Sequence, residues 1–360
     1  MLNVYTGQFL NCYEKKSRAL LCDKPKLNKI KENWKNNNSN NFEKKFNEDF
    51  ELINEIGEGS VSKVYLYRDK KYKRNYALKK ILPKKIGKIN HYELYISKTL
   101  NHINIIQTYE IHKNKEKNVD YILMEYGTHG NIINFQNKFL KNNNYSESLL
   151  NFFVYQILLA LKYCEKCHVL HQDLKPQNIV IDEYLNVKII DFSISLKTNI
   201  IKSDDVQLKP CGTTFFIAPE VLKSKKVKKK DLNKIDLYSL GVIIYMLAFG
   251  EFPYGLNSKT KEFSKIIEKI DNNELKINNE DNYFSESFID FLKKLLEKDI
   301  NKRINIDEAL NHYWVKGAKI LVDEKEKMYN ASCFLGYLIT DHFINFNKYL
   351  KGDHGKQQCF

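Results

Sequence analysis

Hydrophobic positions change their rhythm twice along this 360-residue chain. The first 48 residues are polar, with Asn36, Asn37, Asn38, Asn40 and Asn41 crowded together, and read as a mobile leader. From Phe50 short β-like runs follow: Phe50, Leu52 and Ile56, then Val64 and Leu66, then Tyr76 to Leu82, each bounded by turn residues. A helix is expected around His91 to Leu100 and a strand over Tyr121 to Tyr126. Beyond Gly130 the spacing approaches 3.6, as at Leu149, Phe152, Phe153, Tyr155, Gln156, Leu159 and Leu161, which predicts helices. The longest apolar stretch, Leu237 to Phe249, is shorter than the roughly 20 residues a bilayer needs and is expected as a buried helix. A small β-rich half thus precedes a larger helical half, with the junction between Glu125 and Gly130.

Composition changes this picture little. Hydrophobic residues at 43% and charged residues at 28% make a globular balance. The net charge of +14 comes from lysines spread along the whole chain, without the basic and aromatic interleaving of RNA readers, so nucleic acid is not the expected partner. Seven scattered cysteines point to reduced thiols and an intracellular address, the cytoplasm before the nucleus. Cys164 and Cys167 form a lone C-x-x-C with no second pair to complete a zinc site, and core packing is the expected role. The N-terminus shows no signal peptide and no myristoylation glycine, and no membrane partner is expected.

The chemistry lies in an ordered series. Ile56-Gly57-Glu58-Gly59-Ser60-Val61-Ser62-Lys63-Val64 joins two expected strands, and its glycines let backbone N–H groups approach phosphates. Lys79, in Ala77-Leu78-Lys79, is suited to pairing with α- and β-phosphates, and Glu93 on the next helix would keep it charged. His171-Gln172-Asp173-Leu174-Lys175-Pro176-Gln177-Asn178 is the strongest signal. Asp173 can accept a hydroxyl proton, Lys175 can neutralise phosphate charge, and Asn178 can offer a carbonyl oxygen to Mg²⁺. Asp191, in Asp191-Phe192-Ser193, would hold the other side of that ion.

This order, completed by Ala218-Pro219-Glu220, resembles the protein kinase family from about Phe50 to Trp314. The resemblance implies an α+β, two-lobed fold, with a small β-rich lobe bearing one main helix, a larger helical lobe, and ATP in the cleft. It implies a kinase domain over 49–315, after the leader of 1–48 and before a helical extension over 316–360. The cofactors would be ATP and Mg²⁺, and the partners proteins with Ser or Thr acceptors. It makes Met124 the gatekeeper, has the Glu125 carbonyl and the Gly127 N–H bind adenine, and places Val64, Ala77 and Val180 around the ring. Glu220 would pair with Arg303, and Asp236-Leu237-Tyr238-Ser239-Leu240-Gly241 resembles the central-helix motif, with Tyr238 where Trp is usual. Lys175 and Thr213 resemble the serine/threonine branch. Asn311-His312-Tyr313-Trp314-Val315 and the activation segment look most like the calcium/calmodulin-dependent group, leaning towards its kinase kinases.

Four positions depart from the family. Ser62 replaces the third loop glycine, Ser193 the glycine of D-F-G, and Gln172 the arginine of H-R-D, which in many members binds an activation-loop phosphate. The usual phosphothreonine aligns with Lys209, so phosphate and receiver are both absent, and activity is expected without phosphorylation there. Ser97 falls where an apolar column residue is usual, unless Ile96 turns inward instead. Lys223 to Lys230, with six lysines, is expected as a solvated loop, docking of acidic substrates being the alternative. The aromatic tail, including Phe334, Tyr337, Phe343 and Phe346, is expected to pack on its own lobe or to bind a regulatory partner. The rival function is a pseudokinase scaffold that binds nucleotide without transfer. Retention of Lys79, Glu93, Asp173, Asn178 and Asp191 weighs against it.

Overall fold

The computed structural model describes residues 42–59, 62–82, 96–114, 119–140, 145–257, 259–260, 262–279 and 283–319. The chain divides into two compact units, one up to Thr128 with Ile190–Ser193, the other His129–Ile189 and the chain from Ile194 onwards.

The first unit is a five-stranded antiparallel sheet of β1 (Phe50–Glu58), β2 (Ser62–Asp69), β3 (Asn75–Ile81), β4 (Thr108–Asn114) and β5 (Val119–Met124), in the order β1-β2-β3-β5-β4. Val64 lies beside Lys79 and Lys79 beside Ile122; Leu66 lies beside Ala77 and Ala77 beside Met124. Strand alternation therefore puts Ala77, Lys79 and Ile81 on one face and Tyr76, Leu78 and Lys80 on the other. The second face is covered by helix α1 (Phe42–Asp49). Its Phe46 stacks on Phe50 with ring centroids 4.5 Å apart and joins Tyr76, Leu78, Val119, Tyr121 and Leu123 in one apolar cluster. Glu43 of α1 accepts hydrogen bonds from Lys80 Nζ at 3.0 Å and the Tyr121 hydroxyl at 2.5 Å.

The leader expected to reach residue 48 is thus corrected: 42–48 belong to a helix that packs on the sheet through the Phe46 ring and Glu43. Residues 1–41 lie outside the described set, as does the tail from 320 onwards; the helical stretch 313–319 leads into it. Of the helix expected over His91 to Leu100, residues 96–100 are described: 96–99 are helical and Leu100 lies just past the helix end. Ile96 is the residue turned inward, fully buried, while Ser97 is half-buried. Strand β4 was not foreseen in the sequence.

The second unit is helical: α2 (Ile132–Phe139), α3 (Glu147–Lys166), α4 (Pro219–Leu222), α5 (Lys234–Phe249), α6 (Phe263–Asn272), α7 (Glu286–Leu295) and α8 (Ile306–Leu310). Three pairs of short strands lie among them: β6 (Val169–Leu170) with β9 (Leu196–Lys197), β7 (Ile179–Ile181) with β8 (Val187–Ile189), and β10 (Asp205–Gln207) with β11 (Lys226–Lys228). Helix α3 starts at Ser146, whose Oγ accepts from the Leu149 N–H, and is buried along most of its length. Helix α5 is apolar on all sides because it is surrounded. The stretch from Lys229 to Phe249, a 3₁₀ turn leading into α5, is by length and composition long enough to span a bilayer, unlike the shorter stretch read from sequence, yet most of it is buried inside the unit. At Gly241 an added Cβ would come within 2.9 Å of Leu295 Cβ, so α5 and α7 meet where no side chain intervenes. Trp314, fully buried, packs against Phe288 and Phe291 and donates its indole N–H to Glu147 at 2.9 Å.

Candidate active site

The loop between β6 and β7 is held from below by the first turn of α5. Asp236, wholly buried, accepts the backbone N–H groups of His171 at 2.8 Å and Gln172 at 2.9 Å. Burial pushes this carboxyl upward, opposed by His171 and by the two N–H donors. The Asp173 N–H then donates to His171 Nδ1 at 3.2 Å. Gln172 takes the left-handed region, φ 68°, which turns the chain sharply just before Asp173.

Among the described residues, three side chains and one backbone N–H donate to the Asp173 carboxylate. Lys175 Nζ reaches Oδ2 at 2.7 Å and Asn178 Nδ2 reaches it at 3.2 Å, while the Thr213 N–H and hydroxyl reach Oδ1 at 3.0 and 3.3 Å. Lys175 also donates to Thr213 Oγ1 at 3.0 Å. Asn178 spends its amide N–H₂ on the Asp173 carbonyl and carboxylate, so its carbonyl oxygen is the atom it would offer an ion. Gly212 makes this approach possible: at φ 89°, a Cβ there would lie 2.8 Å from Asp173 Oδ1. The 176–178 turn is a short 3₁₀ helix with Pro176 at its first position, ending as the chain enters β7. Val180, expected beside adenine, is half-buried in β7 and bridges Asn131.

Gln172 fills its place without charge. Its Nε2 donates to the Ile194 carbonyl at 2.6 Å, and its Oε1 faces Cys211 Sγ at 3.9 Å. Burial, with Asp173 second, raises the Cys211 thiol above its usual value. Further on, Glu220 in α4 and Arg303 form the expected pair, bidentate at 2.7 and 2.9 Å and almost fully buried. The Arg303 guanidinium lies 4.9 Å over the Tyr238 ring.

In the first unit, Lys79 on β3 pairs with Asp191 Oδ1 at 2.9 Å. Asp191 sits at φ 65°, a conformation Asp tolerates better than most residues. Glu93, the partner expected for Lys79, lies outside the described residues, as do Ser60 and Val61 of the glycine loop. The rest of that loop is in place: Ile56, Gly57 and Glu58 end β1, the Gly59 N–H donates to the Ser62 carbonyl at 2.7 Å, and Ser62, Lys63 and Val64 open β2. Lys63 bridges Glu55 and Glu58, both at 3.3 Å. Met124 ends β5 beside Ala77, the Glu125 N–H donates to the Gln107 carbonyl at 2.9 Å, and Gly127 is buried. Sequence reasoning did not assign Asp236 or Gly212 to the site, although the motif holding Asp236 and the glycine before Thr213 are both visible in the chain.

The protein kinase domain family matches residues 50–315. The chain is a protein kinase of the serine/threonine type. It is 34% identical over 277 residues to myosin light chain kinase A of Dictyostelium discoideum, covering 74% of this chain and 88% of that protein. It is 33% identical over 270 residues to testis-specific serine/threonine-protein kinase 1 of Mus musculus, covering 72% and 70%. With CBL-interacting serine/threonine-protein kinase 12 of Arabidopsis thaliana it shares 32% over 272 residues, 74% of this chain but only 52% of that protein. The kinase match thus takes in the loop around Asp173, the Lys79–Asp191 pair and the Glu220–Arg303 pair alike.

Proposed function

We propose that this kinase transfers the γ-phosphate of Mg-ATP to serine or threonine hydroxyls of proteins, and does so without a phosphate in its activation segment. The observation that carries the second half is Gln172. An arginine at this position would place a charge beside the segment that only an anion could balance. Gln172 instead makes neutral contacts with Ile194 and Cys211, and the segment already reaches Asp173 through Thr213.

The chemistry rests on positioned groups. Asp173 would take the hydroxyl proton, with the Thr213 N–H fixing the direction of its carboxylate. Lys175, 2.7 Å from Asp173, would stabilise charge on the phosphoryl oxygens. In the first unit Lys79 would pair with α- and β-phosphates. The carbonyl oxygen of Asn178 and the carboxylate of Asp191 are hard donors of the kind Mg²⁺ prefers, and the ion would supply charge neutralisation. Retention of Lys79, Asp173, Lys175, Asn178 and Asp191 supports transfer over the scaffold reading.

The test is γ-labelled transfer to a generic protein acceptor before and after phosphatase treatment, with intact mass confirming the unphosphorylated state. Equal rates, lost in Asp173→Asn, are expected. A rate that collapses with dephosphorylation and returns with a phosphate between Asp191 and Glu220 would sink the proposal.

A further inference from the structure

The stretch expected as a solvated lysine loop is not a loop. Lys226–Lys228 forms β11, paired antiparallel with β10 of the activation segment, Asp205 opposite Lys228, Val206 opposite Val227 and Gln207 opposite Lys226. Val206 and Val227 are buried, so alternation turns Lys226 and Lys228 outward with Asp205 and Gln207. The ribbon is pinned at both ends: the Lys229 N–H donates to the Asp204 carbonyl at 2.7 Å, and Gln207 Nε2 donates to the Ser224 carbonyl at 2.8 Å. Lysines displayed on a fixed ribbon lose less freedom on binding than lysines on a loose loop.

The charge here is one-sided. Between 202 and 231 there are eight lysines against three aspartates and Glu220, whose carboxylate is taken by Arg303. Asp205 is engaged by Lys228 at 2.9 Å and Asp231 by Lys234 at 3.0 Å, while Lys223 pairs with Asp271. Lys202, Lys209, Lys225, Lys226 and Lys230 are exposed and form no salt bridge among the described residues, Lys226 acting on Asp205 only at longer range. This surface belongs to the segment that places Thr213 on Asp173.

We propose that the lysine ribbon is a substrate-docking surface, and that this kinase prefers protein acceptors whose Ser or Thr is accompanied by a run of Asp and Glu. The inference rests on the transfer activity proposed above. Charge complementarity selects the occupant: a peptide bearing several carboxylates balances five exposed ammonium groups that form no salt bridge, whereas a basic one would be repelled. Nucleic acid is the less fitting polyanion, because no exposed aromatic side chain alternates with these lysines to stack on bases.

The experiment uses the full chain with Mg-ATP and three peptides sharing one serine acceptor, flanked by Glu, by Lys or by neutral residues. The Glu-flanked peptide is expected to show a KM about tenfold or more below the Lys-flanked one. The advantage should shrink as salt rises from about 0.05 to about 0.5 M. The variant Lys225→Glu/Lys226→Glu/Lys230→Glu should raise KM for the Glu-flanked peptide about tenfold and leave its kcat within about twofold. The milder Lys225→Gln/Lys226→Gln/Lys230→Gln variant, checked for an unchanged melting temperature, should fall between. Equal kcat/KM for Glu- and Lys-flanked peptides overturns docking while leaving transfer intact; no transfer to any peptide overturns the activity itself. Variants that weaken binding of an RNA oligonucleotide but leave the Glu-flanked KM unchanged also overturn it.

Discussion

Replacing Arg303 by Met is the sharpest perturbation of the framework behind the activation segment. The guanidinium is fully buried, gives two hydrogen bonds to Glu220 at 2.7 and 2.9 Å, donates to the Glu297 and Lys234 carbonyls, and lies over Tyr238. Methionine fills much of the volume but leaves the Glu220 carboxylate, 4% exposed, with its partner gone. Breaking a buried pair from one side costs about 3–5 kcal/mol, most of it the stranded charge. For a unit of this size about 2–4 °C accompanies each kcal/mol, so the melting temperature should fall on the order of 6–20 °C. The decisive partner is Glu220→Leu/Arg303→Met, which removes both charges and should recover most of the loss. Circular dichroism melts of wild type, single and double variants measure this directly. A double variant as unstable as the single, or a single variant costing under about 1 kcal/mol, would refute the account of a charge-dominated pair.

Other outcomes follow from single contacts. Gly212→Ala drives a Cβ to within 2.8 Å of Asp173 Oδ1, so kcat should drop about 10²-fold by displacing the base, with ATP binding kept; steady-state kinetics alongside nucleotide titration check it. Phe46→Ala empties the ring site on the reverse face of the sheet and should cost about 3 kcal/mol, read by denaturant unfolding. The Cys211 thiol, raised by burial and by Asp173, should react with iodoacetamide at pH 7.5 more than about tenfold slower than a free thiol. Mass-mapped alkylation should show it quickening in Asp173→Asn.

Much of this was legible because phosphoryl transfer demands particular atoms in a particular order. Lys79, Asp173, Lys175, Asn178 and Asp191 announce themselves by chemistry and spacing, and their local contacts now have distances. The β2 and β3 strands and helix α3 were equally visible, since periods of 2 and 3.6 are written into their side chains. What escaped has physical causes. Helix α1 is mostly lysine, asparagine and acid, and gives no apolar periodicity to read around its buried Phe46. Strands β10 and β11 are three residues each, joined across nineteen positions of sequence, too short for any period to register. The Ser97 question was settled by burial, which only packing could show.

Helix α1 has a mechanical consequence. Through Glu43 it grips Lys80 and Tyr121, and Lys80 is the immediate neighbour of Lys79 on the same strand, pointing the opposite way. Helix α1 therefore contacts the strand that carries the phosphate lysine directly. A fusion attached there that disturbs Glu43 would loosen contacts on the strand that carries Lys79.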